Sequence, residues 1–186
     1  MTMRLFVEPT YIFLDTEWAD VLGADLVSLA LVSADGRQRF YAERDPLPQG
    51  PTDFVRVTVY PLLERGSVAL SDAAFTTELR RFLCGIDAPF VLFDYRNDGA
   101  LLRYALAGFN LADAEALSCG PTPSPVMTEL IRDLPMTRLL EAWFRGHPDA
   151  AARRHHAGVD AEALRQSWLA VTGRIEAPWA DRDLPR

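Results

Sequence analysis

Residues 26–43, LVSLALVSADGRQRFYAE, restrict the fold of this chain more than any other stretch. Leu26 to Ser33 is rich in apolar and β-branched residues, Gln38 to Glu43 is strand-like again, and Ala34-Asp35-Gly36-Arg37 lies between them. Asp-Gly readily adopts the positive φ angles of a tight antiparallel reversal, so the stretch predicts a β-hairpin. Upstream, Tyr11, Ile12, Phe13 and Leu14 have the bias of a buried strand. The chain is therefore expected to open as three antiparallel strands.

The remainder alternates. After the loop DPLPQGPTD, whose prolines and Gly50 exclude regular structure, FVRVTVYPLL fits either a short helix or an extended segment. Ser71 is a candidate N-cap for a helix with Phe75, Leu79, Phe82 and Leu83 at helical spacing and Gly85 as its end. PFVLFDY, residues 89–95, reads as a short buried strand, and NDGALLRYALAG, residues 97–108, as a helix capped near Asn97 and closed by Gly108. CGPTPSP, residues 119–125, is a break, and VMTELIRDL and TRLLEAWFRG beyond it read as helical. The last helix, within HHAGVDAEALRQSWLAVTG, residues 155–173, is expected to present Val159, Leu164, Trp168 and Val171 on one face. No repeat is present, and this order of elements is that of an α/β mixed sheet.

At 186 residues and 49% hydrophobic, the chain is expected to form one domain with a substantial core, over residues 1–174, followed by a tail over 175–186. No apolar run approaches the roughly 18 residues of a membrane span, and the apolar part of MTMRLFVEPTY is too short for a secretory signal; a soluble, cytoplasmic protein is the expectation. Cys84 and Cys119 are too few for a disulfide framework and too isolated for a zinc site. All 19 basic residues are arginine, whose planar forks suit phosphate, yet the net charge is −7. That balance argues against a protein that coats long nucleic acid. It permits a small substrate, or a short nucleic-acid end held with the help of metal ions.

The acids supply the functional signal. Asp15 and Glu17 stand two apart at the end of the first strand, so they share a face. Asp98 opens the helix after PFVLFDY, and Asp160 lies in the first turn of the last helix, five residues after His155. Each alone is an ordinary cap or solvated turn. As a set they sit at strand ends and helix starts, where α/β sheets gather their sites. Like charges held together raise one another's pKa unless a cation intervenes, and carboxylates without cysteine favour hard cations such as Mg²⁺ or Mn²⁺.

DTE at 15–17, NDGALL with Asp98, and HHAGVDA with His155 and Asp160 together resemble the three motifs of the DEDDh 3′-to-5′ exonucleases of the ribonuclease H-like superfamily. His155, Ala157, Asp160 and Ala161 carry the most specific match, and DTEW, LVSLALVSADGRQRFYA and FVRVTVYPLL resemble small actinobacterial-type exoribonucleases. The resemblance implies a ribonuclease H-like mixed sheet with helices on both faces. It also implies two Mg²⁺ or Mn²⁺ ions on Asp15, Glu17, Asp98 and Asp160, with His155 as general base. Thr16, Trp18 and Arg154 are its implied substrate contacts; single-stranded RNA or short oligonucleotide 3′ ends are its partners, and a homodimer is possible.

Alternatives stand beside several of these readings. Asp94 competes with Asp98, and His156 with His155 should the register slip. Trp18 suits base stacking or the core, and Arg154 a phosphate or, with Arg153, solvent. A DNA-directed, proofreading-type exonuclease has the same site, whereas a non-catalytic nucleic-acid-binding module of the same fold is marked by loss of a metal acid, and all four acids are present. An aspartyl-nucleophile phosphatase is disfavoured, because Glu17 stands where a second Asp is needed and the chain has no lysine.

Overall fold

The computed structural model describes residues 8–123 and 126–180. Strands β1 (Thr10–Trp18), β2 (Leu26–Ser33) and β3 (Arg39–Arg44) form the expected antiparallel meander. Gly36, at φ +73°, makes the turn between β2 and β3. Val55–Val59 and Tyr60–Leu62 form short helical turns, which settles the ambiguity of FVRVTVYPLL in favour of helix. Then come β4 (Ala69–Leu70), α1 (Asp72–Cys84), β5 (Pro89–Phe93), α2 (Arg96–Ala107) and α3 (Asp113–Ser118). The order closes with β6 (Met127–Leu130), α4 (Leu134–Gly146), α5 (Pro148–Ala151) and α6 (Ala157–Val171). The strands lie in the order β4-β3-β2-β1-β5-β6; β4, β5 and β6 each run parallel to the strand they join.

Alternation along β1 divides the core. Ile12 and Leu14 pack with Phe75, Leu79, Leu101 and Leu102 of α1 and α2, whereas Phe13 packs with Ala157, Ala161 and Leu164 of α6 and Met136 of α4. Helices thus cover both faces, and β2, sandwiched between them, is buried along its whole length. A strand buried on both sides reads as a continuous apolar run rather than an alternating one. None of the described helices is long and apolar enough to cross a membrane. Cys84 is exposed and Cys119 buried, and both are free.

Three expectations need correction. Part of VMTELIRDL is strand: Met127–Leu130 pairs in parallel with Phe90–Phe93. Met, Glu and Leu favour helix, but the open edge of β5 supplies hydrogen-bond partners, and tertiary pairing overrides weak propensity. The helix expected near Asn97 starts at Arg96, with Tyr95 at the cap position, and the Asn97 amide instead donates to the Leu22 and Gly23 carbonyls, both at 3.0 Å. On α6 the four apolar residues do not share one face. Leu164 and Trp168 meet the sheet, Val159 packs toward Trp143 and Phe144 of α4, and Val171 is exposed. Ser124 and Pro125 of the expected break, residues 1–7 of the expected domain and 181–186 of the tail lie outside the described residues.

A buried cation fastens the α1–α2 face. The Arg80 guanidinium donates from Nε and Nη2 to the Leu106 carbonyl at 2.9 and 2.8 Å, and from Nη1 to those of Ala116 and Gly120 at 2.7 and 2.8 Å. It thereby satisfies carbonyls near the ends of two helices. Replacing it removes both bonds to the buried Leu106 carbonyl and unties Ala116 and Gly120, so Arg80→Met is expected to destabilise the fold by about 2–4 kcal/mol in chemical denaturation.

Candidate metal centre

β5 pairs with β1 only along Thr10–Phe13, so the last residues of β1 run past it and leave an opening at the carboxyl end of the sheet. Asp15 and Glu17 share one face there, opposite the small Ala30 and Ser28 of β2. The first turn of α6 lies over that face and brings Asp160. Thr16 points the other way, and its hydroxyl donates to Asp98 Oδ1 at 2.7 Å. The backbone N–H of Tyr95 donates to Asp98 Oδ2 at 3.2 Å, so Asp98 is fixed from two sides at the start of α2.

The carboxylates form two adjoining groups. Glu17, His155 and Asp160 can each turn a ligand atom to within 4.8 Å of the others, as can Asp15, Asp94 and Asp98. Asp98 is 1% exposed and Glu17 9%. Asp15 Oδ2 and Asp160 Oδ1 are buried with no hydrogen-bond partner among the described residues. Buried polar atoms are normally paired, and two unpaired carboxylate oxygens in one cleft are suited to holding a cation.

Burial pushes all five acids up. It raises Glu17 to about 8, with Asp160 and Asp98 adding repulsion. Asp98 rises to about 7 against the opposing hydrogen bond from Thr16, and Asp160 to about 7 against the one from the His155 N–H. Asp15 rises well above the usual carboxylate range through burial and the charges of Asp160, Asp98, Glu17 and Asp94. Asp94 is raised too, chiefly by burial, while Arg132 and Arg154 pull it back.

A pH dependence of stability follows. The folded, metal-free protein holds protons that the unfolded chain releases near pH 4, so its stability falls as pH rises through the window from about 4 to 8. The melting temperature without metal is expected to drop by about 10 °C between pH 5.5 and 8.5, on the order of several kcal/mol. Saturating Mn²⁺, which favours the ionised carboxylates, should flatten that slope, and differential scanning fluorimetry reads both.

The surrounding cleft has a volume of about 550 Å³ and is lined by Asp15, Thr16, Glu17, Trp18, Asp98, Arg154, His155 and Asp160 together. The eight residues that the motif resemblance implies thus line one cleft, whereas His156 and Arg153 do not. Trp18 stacks on Tyr95 with ring centres 5.4 Å apart and also packs against the core, which joins its two expected settings. Arg154 is held by both oxygens of Glu141, at 3.0 and 2.6 Å, and lies over the Phe144 ring, so it is not simply solvated.

Of the neighbouring histidines, His155 lines the cleft at φ +74° with Phe54 edge-on to its ring, 5.0 Å away. His156 serves the fold: its Nδ1 accepts from Gly158 N at 3.1 Å, and its ring stacks on Tyr41.

In the sequence Asp94 and Asp98 compete for one role, yet the structure brings both to Asp15. Its position one residue beyond β5, at the carboxyl end of a parallel strand, was the available signal. Phe54 and Tyr95 gave none, since nothing local marks a loop aromatic as lining a cleft.

No protein-family model matches the chain, and no curated protein matches it significantly.

Proposed function

We propose that the protein is a metal-dependent 3′-to-5′ exonuclease of ribonuclease H-like fold that shortens single-stranded RNA or short oligonucleotide 3′ ends and releases nucleoside 5′-monophosphates. One observation carries the reading: two adjoining carboxylate groups, with buried unpaired oxygens on Asp15 and Asp160, open into a cleft beside a histidine. The motif resemblance of DTE, Asp98 and HHAGVDA supports it independently of the geometry.

Glu17 and Asp160 would hold one Mg²⁺ or Mn²⁺, and Asp15, Asp94 and Asp98 a second. When bound, the ions neutralise these carboxylates and stabilise charge on the attacking and leaving oxygens. Burial, helped by the nearby Arg154 charge, lowers the His155 pKa, so its imidazole is neutral and able to accept a proton near pH 7. His155 takes that proton from the water that attacks phosphorus. The bond to the 3′ oxygen of the preceding nucleotide then breaks, that oxygen takes a proton from solvent water, and His155 returns its proton to solvent. Trp18 and Phe54 offer rings to the terminal base, a contact that contributes about 1–3 kcal/mol in other single-strand sites.

End-labelled single-stranded RNA and matched DNA, incubated with Mg²⁺, Mn²⁺ or EDTA, test metal need, polarity and sugar choice together. Stepwise loss of 3′ nucleotides from RNA, abolished by EDTA, is the expected pattern. Full activity in EDTA, or endonucleolytic products, would sink the reading. Preference for DNA would keep the chemistry and change the substrate, because that choice rests on contacts to the 2′-hydroxyl.

A further inference from the structure

The strand that the sequence concealed has a consequence for substrate binding. Because Met127–Leu130 pairs with β5, the chain leaves the sheet beside the acids rather than on a separate helix. The ladder extends one step, with the Ile131 N–H donating to the Phe93 carbonyl at 2.8 Å. Arg132 therefore emerges next to Asp94 and Tyr95, at the carboxyl end of the sheet where the cleft opens. Its guanidinium carbon lies 5.6 Å from the centre of the Tyr95 ring, and Tyr95 stacks on Trp18 and lines the cleft.

Two arginines bear on Asp94, and they differ in what holds them. Arg154 spends its fork on Glu141. Arg132 makes no hydrogen bond or salt bridge to a carboxylate among the described residues, and it is exposed. Arg56 is paired with Asp53, Arg65 with Asp45 and Glu43, and Arg153 with Glu64, while Arg96 at the start of α2 has no aromatic ring beneath it among the described residues. A guanidinium placed over an aromatic ring is oriented by the ring while its N–H edge stays available for two parallel bonds to phosphate. A chain of net charge −7 needs such a local cation to draw a polyanion toward an acidic cleft.

We infer that Arg132 binds a second backbone phosphate of the substrate, the one on the 5′ side of the nucleotide preceding the cleaved bond. This inference rests on the exonuclease reading above, in which the cleaved phosphate belongs to the carboxylate groups and their ions. A different phosphate is then left for the arginine at the rim. The site consequently distinguishes chains of three nucleotides or more from a dinucleotide.

Two substrates separate the roles: the dinucleoside monophosphate NpN and the trinucleoside diphosphate NpNpN, which present the same terminal bond and differ by one upstream phosphate and nucleoside. With Mn²⁺ the unaltered protein should show the higher kcat/KM on NpNpN. Arg132→Ala should lower the NpNpN-to-NpN ratio about 10-fold or more, mainly through KM. The salt slope of kcat/KM on NpNpN should also fall by about one. Arg132→Lys, which keeps the charge without the fork, should fall between. An unchanged ratio in Arg132→Ala overturns the inference, as does an equal loss on both substrates, which would place Arg132 at the cleaved phosphate or in the fold. If the unaltered protein cleaves neither substrate, the exonuclease reading itself fails and the inference falls with it.

Discussion

Asp15→Asn is expected to leave less than about 10⁻³ of the hydrolysis rate while making the metal-free protein more stable. The two effects have one cause. Asp15 sits where the charges of Asp160, Asp98, Glu17 and Asp94 converge, buried and with Oδ2 unpartnered. A cation relieves that arrangement; without one, the ionised carboxylate is repelled and poorly solvated. Asparagine keeps the shape and removes the charge, so at pH 8 the metal-free melting temperature should rise by several degrees, about 2–4 °C per kcal/mol for a chain of this size. Mn²⁺ should then stabilise the variant far less than the unaltered protein, because stabilisation by a ligand follows its affinity for the folded state. A folding defect predicts the opposite shift in melting temperature. Retention of both the Mn²⁺ stabilisation and a near-normal rate would show that Asp15 is no ligand.

Local chemistry explains which parts of this architecture were legible in the sequence. Asp35-Gly36 between two β-rich runs admits few alternatives, and the hairpin formed with Gly36 at positive φ. Ser71 and Gly85 bounded α1 because capping is decided within a few residues, with Ser71 Oγ accepting from Ala74 N. β6 depended instead on a partner 37 residues away, Phe90 opposite Met127, and nothing within MTEL announces an edge strand. The site followed the same rule. Asp15, Glu17 and Asp160 were marked by strand parity and helix position, whereas the joint presence of Asp94 and Asp98 depended on the path of the chain between β5 and α2. Arg132 stayed hidden because its place derives from β6.

His155→Ala should slow single-turnover hydrolysis by about 10²- to 10⁴-fold, the usual contribution of a positioned base, while leaving Mn²⁺ affinity nearly unchanged. The geometry admits a rival role, since His155 can approach Glu17 and Asp160 as a third ligand atom. Chemistry decides between them: Mg²⁺ prefers oxygen, and the acids supply it without the imidazole. The backbone at His155 offers a further control. It lies at φ +74°, which suits glycine, and its N–H donates to Asp160 Oδ2 at 3.1 Å whatever the side chain. His155→Gly should therefore be as inactive as the alanine variant yet at least as stable, separating loss of the base from loss of the fold. His156→Ala should behave in the reverse way. It removes the cap of α6 and the stack on Tyr41, lowering the melting temperature by a few degrees with little change in single-turnover rate. Calorimetric titration of Mn²⁺ beside those rates discriminates: loss of metal binding in His155→Ala would make the imidazole a ligand, and a larger rate loss in His156→Ala would move the base one residue along.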